Sequence, residues 1–238
     1  FRSIVGSGPA GLFAALRFVE RKVPCILLER GSPAEQRIKH INRFWRYGEL
    51  NENDNVCFGE GGAGLYSDGK LITRIKSPHI PYVLDRLVSF GAPKEIRYLS
   101  NPHVGSDKIR RLIPKIRDYL RANGCDLRFH SAVSQLLVEN KQIIGVKTSH
   151  GEKFHSPHVV LATGHSAEDV FAHLREIEVA MEGKSFAVGL RIEHPQSLID
   201  KARFGPNAGN ALLGAADYKL VHHAKNGRSV YSFCMCPG

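Results

Sequence analysis

The stretch that most restricts what this chain can fold into is GSGPAG, residues 6–11. Glycines at that spacing make a phosphate cradle only in company. A strand must lead into them, a helix must leave them, and an acid must close a second strand roughly twenty residues on. Ser3-Ile4-Val5 is the apolar end of a strand, and LFAALRFVER places Leu12, Ala15, Leu16 and Val19 on one helical face. Pro24 stops that helix, and Cys25-Ile26-Leu27-Leu28 is a compact apolar strand ending at Glu29. Within the cradle, Gly6 allows the tight turn, Gly8 lets the backbone approach a pyrophosphate, and Gly11 lets helix and strand pack closely. The phosphates would rest on the N-terminal amides of the helix beginning near Pro9, and Glu29 would accept hydrogen bonds from the adenosine ribose. The chain therefore reads as α/β, with a Rossmann-like dinucleotide-binding domain.

NAD-dependent and flavin-dependent proteins share this fingerprint, so the choice of dinucleotide must come from elsewhere. Residues 127–164 read as a strand followed by a β-meander turning at Glu139-Asn140-Lys141-Gln142 and near Ser149-His150-Gly151-Glu152. The apolar run Val159-Val160-Leu161 then ends in Ala162-Thr163-Gly164. Upstream, FGEGGAGLYSDGK at 58–70 carries five glycines, as a backbone does when it lies close to something flat or anionic.

The cradle, the acid, the meander and the closing ATG resemble the FAD-binding domain of the two-dinucleotide-binding-domain flavoproteins. More narrowly, FGEGGAGLYSDGK, LATGHSAEDV, FAVGLRIEHPQ, LGAADYKL and YSFCMCPG are similar to a bacterial family of uncharacterised FAD-dependent dehydrogenases, also described as NAD(FAD)-utilizing. The resemblance implies FAD, with NADH or NADPH as electron donor. It implies that Gly6, Gly8, Pro9, Ala10 and Gly11 hold the pyrophosphate, that Glu29 and Arg30 hold the adenosine, and that Val133 meets the adenine through its backbone. Ala162, Thr163 and Gly164 would pass beside the cofactor. Gly61, Gly62, Ala63 and Gly64 would lie against the ribityl chain or the isoalloxazine edge. Ser67, Asp68 and Lys70 follow as the polar candidates nearest the ring, with Lys70 placed to favour the anionic reduced flavin. The sequence departs from the flavoprotein pattern in one respect. It contains no Gly-Asp pair to bind the ribityl and phosphate groups. We therefore expect it to be part of a longer protein and, alone, to retain FAD weakly.

The implied organisation is a discontinuous FAD domain at 1–70 and 127–164, a helical insertion at 71–126, and a partial α+β substrate or cap domain from 165 to 238. That last unit is expected to hold a helix at 166–176, a strand at Phe186–Ile192, a helix after Pro195 and a strand at Val230–Cys234. The helix expected over 107–121 buries Ile109, Leu112, Ile113, Ile116 and Leu120 and turns Arg110, Arg111, Lys115, Arg117 and Arg121 outward, with Pro114 set to kink or split it.

Much of the formal net charge of +10 sits in that segment, residues 107–121. No nucleic-acid module signature accompanies it, so it reads as a solvated surface. No apolar run reaches the ~20 residues of a membrane span and no leader opens the chain, which points to the cytoplasm without a membrane partner. Five cysteines in a chain of this size read as reduced thiols. Cys234 and Cys236 share one strand face, as a redox pair or as small packing residues; Cys57 reads as packing. His150, His155 and His158 are irregularly spaced turn residues, and no metal site is expected. The functional expectation is a flavoenzyme acting on a small molecule. An RNA-modifying or nucleic-acid-associated flavoprotein and a cofactor scaffold without turnover stand as the other classes.

Overall fold

The computed structural model describes residues 1–66, 69, 71, 75–99 and 104–232. Ser67, Asp68 and Lys70 lie outside the described residues, as do Cys234 and Cys236. The chain divides into two compact units, Phe1–Met181 and Glu182–Gly238.

The first unit is built on a parallel sheet of four short strands: β1 (Arg2–Val5), β2 (Cys25–Leu28), β3 (Cys125–Arg128) and β7 (Val159–Leu161), in spatial order β3-β2-β1-β7. All four residues of β2 are buried, as a strand covered on both faces requires. Alternate residues then serve different layers. Ile4 and Leu27 point to the side where α1 (Pro9–Glu20) and α4 (Ser106–Ala122) lie, packing on Leu12, Leu16, Ile113, Ile116 and Leu120. Val5, Ile26 and Leu28 point the other way and meet Val133 and Val146 of the antiparallel meander β4 (Val133–Glu139), β5 (Gln142–Thr148) and β6 (Lys153–His155). The β4–β5 hairpin turns on Asn140 and Lys141, both with positive φ (51° and 62°). That is the two-residue geometry whose twist matches the strands. The helix α2 (Ala34–Tyr47) follows β2, and α5 (Glu168–Glu176) follows β7.

Two of the expected boundaries move. The segment 71–126 is not a separate insertion, because α4 feeds β3, and β3 pairs in parallel with β2 from Cys25↔Cys125 to Leu28↔Arg128. Its stripe Ile113, Ile116 and Leu120 belongs to the main core. What stands apart from the sheet is α3 (Ile80–Ser89) and the 3₁₀ turn Lys94–Arg97. They form a satellite core of Ala92, Ile96 and Val104 against Leu112. Pro114 does not split α4: the helix continues through it, with Leu112 and Ile113 buried before it and Ile116 after it. Burying three such side chains, at about 1.5–3 kcal/mol each, outweighs a proline cost of about 3 kcal/mol. The second boundary is not at 165, since α5 packs on β4. Val170 is buried, and the backbone N–H of Leu136 donates to His173 Nε2 at 2.9 Å.

Among the described residues of the second unit, α6 (Gln196–Phe204) and a short hairpin, β8 (Val221–His223) with β9 (Ser229–Tyr231), are the regular elements beside one 3₁₀ turn. The strand expected at Phe186–Ile192 is absent: 179–195 has no regular structure, and Val188 and Leu190 are 89% and 99% exposed. The alternation of apolar residues suits a strand, but a strand exists only by pairing, and no described segment pairs with this one. The strand expected at Val230–Cys234 runs instead over Ser229–Tyr231, with Ser232 outside it, and Phe233 and Cys234 lie outside the described residues. No helix among the described residues is long and apolar enough to cross a membrane.

Candidate functional site

Because the sheet is parallel, the carboxyl ends of its strands share one edge, where β1, β2 and β7 release the cradle, Glu29 and Ala162-Thr163-Gly164. Ligands of open α/β sheets bind there. The edge forms a cleft of about 500 Å³, within the ordinary range for a small-molecule or cofactor site.

Within the cradle, each glycine has its own physical reason. Gly6 has φ +100°, and a Cβ there would stand 2.4 Å from the carbonyl oxygen of Ala162. At Gly11 a Cβ would fall 1.8 Å from the carbonyl oxygen of Gly6. These two positions are forced by the protein itself. Gly8 is not: its φ is −69°, and the nearest atom to an added Cβ is Gly62 Cα at 3.7 Å, an ordinary contact. Nothing in the polypeptide requires glycine at 8, yet it is the position facing the cleft where a Cβ would obstruct a bound group. With Pro9 at the first helical position and the Leu12 amide donating to Gly8 at 2.9 Å, the first-turn amides of α1 are left without helical acceptors. The cradle fits a diphosphate.

Of the residues the sequence proposed for the cofactor, Gly6, Gly8, Pro9, Ala10, Glu29, Arg30, Gly62, Ala63, Gly64, Val133, Ala162, Thr163 and Gly164 line this one cleft. Gly11 and Gly61 do not. Gly11 is buried where α1 meets the sheet, and Gly61 is tied beneath the cradle by donating to the Ser7 carbonyl at 2.9 Å. The glycine-rich loop thus lies directly against the cradle: a Cβ at Gly62, whose φ is +59°, would stand 2.9 Å from Gly8 Cα.

Glu29 is more engaged than a ribose ligand alone would be. It is 4% exposed. One carboxylate oxygen accepts from the amide and hydroxyl of Ser7 at 2.8 and 2.7 Å, and the other from the amides of Gly31 and Gly59 at 2.9 and 3.0 Å. Those four donors fill the roughly four acceptor directions of a carboxylate. Glu29 is the junction that joins cradle, β2 and glycine-rich loop. Arg30 lies over the Phe58 ring at 4.4 Å and donates to Asp169 of α5 at 2.7 Å, which gives that end of the cleft a fixed cationic and aromatic wall.

Sequence reading missed the layer beneath. Arg37 and Glu60 are fully buried, and Asp54 nearly so. Asp54 accepts from the Ser32 hydroxyl and bonds the Nδ1 of His40. Glu60 accepts from the Ala34 amide at 2.8 Å and from Arg117 at 2.7 Å. Burial pushes the Glu60 carboxyl above its ordinary range against the pull of those partners, while Arg117 holds the Glu35 carboxyl below its range. One signal was readable: Ala34, Arg37 and Ile41 share the buried stripe of α2, which put an arginine where an apolar residue is the rule. Cys57, Phe58, His165 and Ser166 also line the cleft, and the Ser166 hydroxyl donates to Cys57 Sγ at 3.7 Å. Among the described residues no group of three or more His, Cys, Asp or Glu side chains could hold a metal ion.

Two protein families match parts of the chain: "FAD-dependent protein, C-terminal domain-like" over residues 185–238, and "Glucose inhibited division protein A" over residues 114–194. A Clostridium beijerinckii protein of unassigned role is 42% identical over 236 residues, covering 99% of this chain and 44% of that protein, so the chain spans less than half of that relative. Among solved structures, the chain is similar to THI4 of Thermovibrio ammonificans (14% identity, TM-score 0.49, 75% of this chain and 63% of that one). It is also similar to the GidA-related protein of Thermus thermophilus (17% identity, TM-score 0.39, 68% of this chain and 52% of that one). The cradle, its acid and the two family matches together support an FAD-binding flavoprotein with a Rossmann-like cofactor domain.

Proposed function

We propose that this chain is the cofactor-binding part of a flavin-dependent dehydrogenase, of the bacterial FAD-dependent dehydrogenase family that its glycine-rich and C-terminal blocks resemble, with NADH or NADPH as electron donor. The observation that carries the reading is Gly8, a glycine with no internal reason to be one, at the cleft end of a strand-to-helix cradle.

FAD, when bound, supplies hydride acceptance, which no side chain can. The protein supplies binding and orientation. The first-turn amides of α1 would receive the diphosphate, favoured by the positive end of the helix dipole. Glu29 would hold cradle and glycine-rich loop in register, and a ribose hydroxyl would share or displace one of its present donors. Arg30 with Phe58 would bound the adenosine end, and Gly62, Ala63 and Gly64 would let the backbone approach the cofactor closely. Lys70, just beyond that loop, remains our choice for the cation at the ring.

The test is the visible spectrum of the full-length protein. Wild type should purify yellow and bleach under anaerobic NADH or NADPH. Gly8→Val should fold, by circular dichroism, but lack flavin. A folded Gly8→Val protein with undiminished flavin would refute the cradle assignment.

A further inference from the structure

A buried charge sits one layer behind the cradle, and nothing in the binding scheme above uses it. Arg37 is fully buried and does not reach the cleft wall. Its guanidinium is spent on backbone carbonyls: Nε donates to Asn55 at 2.8 Å, and Nη1 to Glu60 at 2.8 Å and Gly62 at 2.7 Å. Nη2 is buried without a partner. The side chain also lies over the Tyr66 ring at 4.8 Å and against Gly59, where a Cβ would stand 2.5 Å from Arg37 Cδ. Burying a cation on neutral partners is costly, and burial pushes this guanidinium below its ordinary value. A methionine or leucine would fill such a space more cheaply.

The surrounding charges supply a reason for the arginine. Glu29 and Asp54 are buried in the same layer, and both carboxylates act on Arg37 through space. Glu29 also lines the cleft itself. Without Arg37, the shell behind a phosphate cradle would present two negative charges to a diphosphate. The carbonyls of Glu60 and Gly62, bound to Arg37, are held away from the cleft wall, so their oxygens do not face an anion.

We propose that Arg37 is the positioning cation of the diphosphate subsite: it turns the glycine-rich loop's carbonyls inward and offsets the buried carboxylates behind the cradle. The inference deepens the reading of the site as an FAD site, and rests on it for the cofactor's identity; the chemistry it requires is a diphosphate. Arg37 touches no ligand and acts through the loop and through its charge.

The test is calorimetric binding of FAD, ADP and adenosine to full-length apoprotein carrying Arg37, Arg37→Gln or Arg37→Lys. Gln should weaken FAD and ADP by about tenfold or more, the scale of one charge-assisted contact, and leave adenosine within about twofold. Lys, which keeps the charge but not the fork, should recover most of the ADP affinity. Unchanged ADP binding in Arg37→Gln would overturn the proposal. So would equal losses of ADP and adenosine in both variants, which mark a purely architectural arginine. Wild-type binding of ADP without FAD would overturn the flavin reading instead, while the ADP series still decides Arg37.

Discussion

Glu29 offers the sharpest test of how the cradle is organised. In Glu29→Gln the side chain keeps its shape and one of its two oxygens, which retains two of the four hydrogen bonds now made. The other oxygen becomes an amide NH₂ that faces two donors. If it faces Ser7, the hydroxyl can rotate to accept, but the Ser7 amide is left without an acceptor; if it faces Gly31 and Gly59, both amides are orphaned. One buried orphaned donor costs about 1–3 kcal/mol, and the retained bonds lose charge assistance worth several tenths more each. The expected loss is about 2–4 kcal/mol. For a unit of this size that lowers the midpoint of thermal unfolding by roughly 4–16 °C. Apoprotein must be used, because bound cofactor would add its own stabilisation. Ser7→Ala is the matched control, since it removes one hydroxyl bond and should cost about 0.5–1.5 kcal/mol. A Glu29→Gln protein unfolding within about 0.5 kcal/mol of wild type, or no worse than Ser7→Ala, would show that Glu29 does not hold the cradle together.

Gly11→Ala gains about 1 kcal/mol of helix propensity but drives a Cβ to 1.8 Å from the Gly6 carbonyl oxygen. Overpacking of backbone on backbone should win by at least about 1–3 kcal/mol, read by urea unfolding; a stabilised variant would contradict the close packing of α1 on β1. Arg117→Met leaves the buried Glu60 carboxyl without its cation and should cost about 3 kcal/mol or more at neutral pH. Because burial already raises the Glu60 carboxyl above its ordinary range, that group favours folding in its protonated form, so the deficit should grow as pH rises from mildly acidic toward neutrality. Unfolding at pH 5 and pH 8 checks this, and an equal deficit at both values would exclude Glu60 as its source.

Much of the first unit was legible because its signals are local. A strand buried on both faces must be continuously apolar, a helix against a sheet must repeat its apolar face, and Gly11 must be glycine because the Gly6 carbonyl, five residues back, leaves no room. Those requirements act over a few residues, so Ile4, Leu12, Leu16, Leu27 and Glu29 could be placed from the text of the chain alone, and the meander's turn at Asn140-Lys141 likewise. What the tertiary structure decided are relations between distant segments. The apolar stripe of α4 has the same period whether it covers an insertion or completes the sheet's own core; only the pairing of Cys125 with Cys25 settles that it does the second. Glu29 announces an acid at the end of a strand, but its four donors come from residues 7, 31 and 59, brought together only by the closed fold. Phe186 to Ile192 alternates as a strand should, yet period alone cannot provide the neighbour whose amides and carbonyls make a strand. Arg37 lies deepest in this class: one arginine among many in the sequence, it becomes a buried cation because a loop some twenty residues away folds its carbonyls over it. Hydrogen bonds and charges between remote segments depend on distance in space, and distance in space is set by how every local element packs at once.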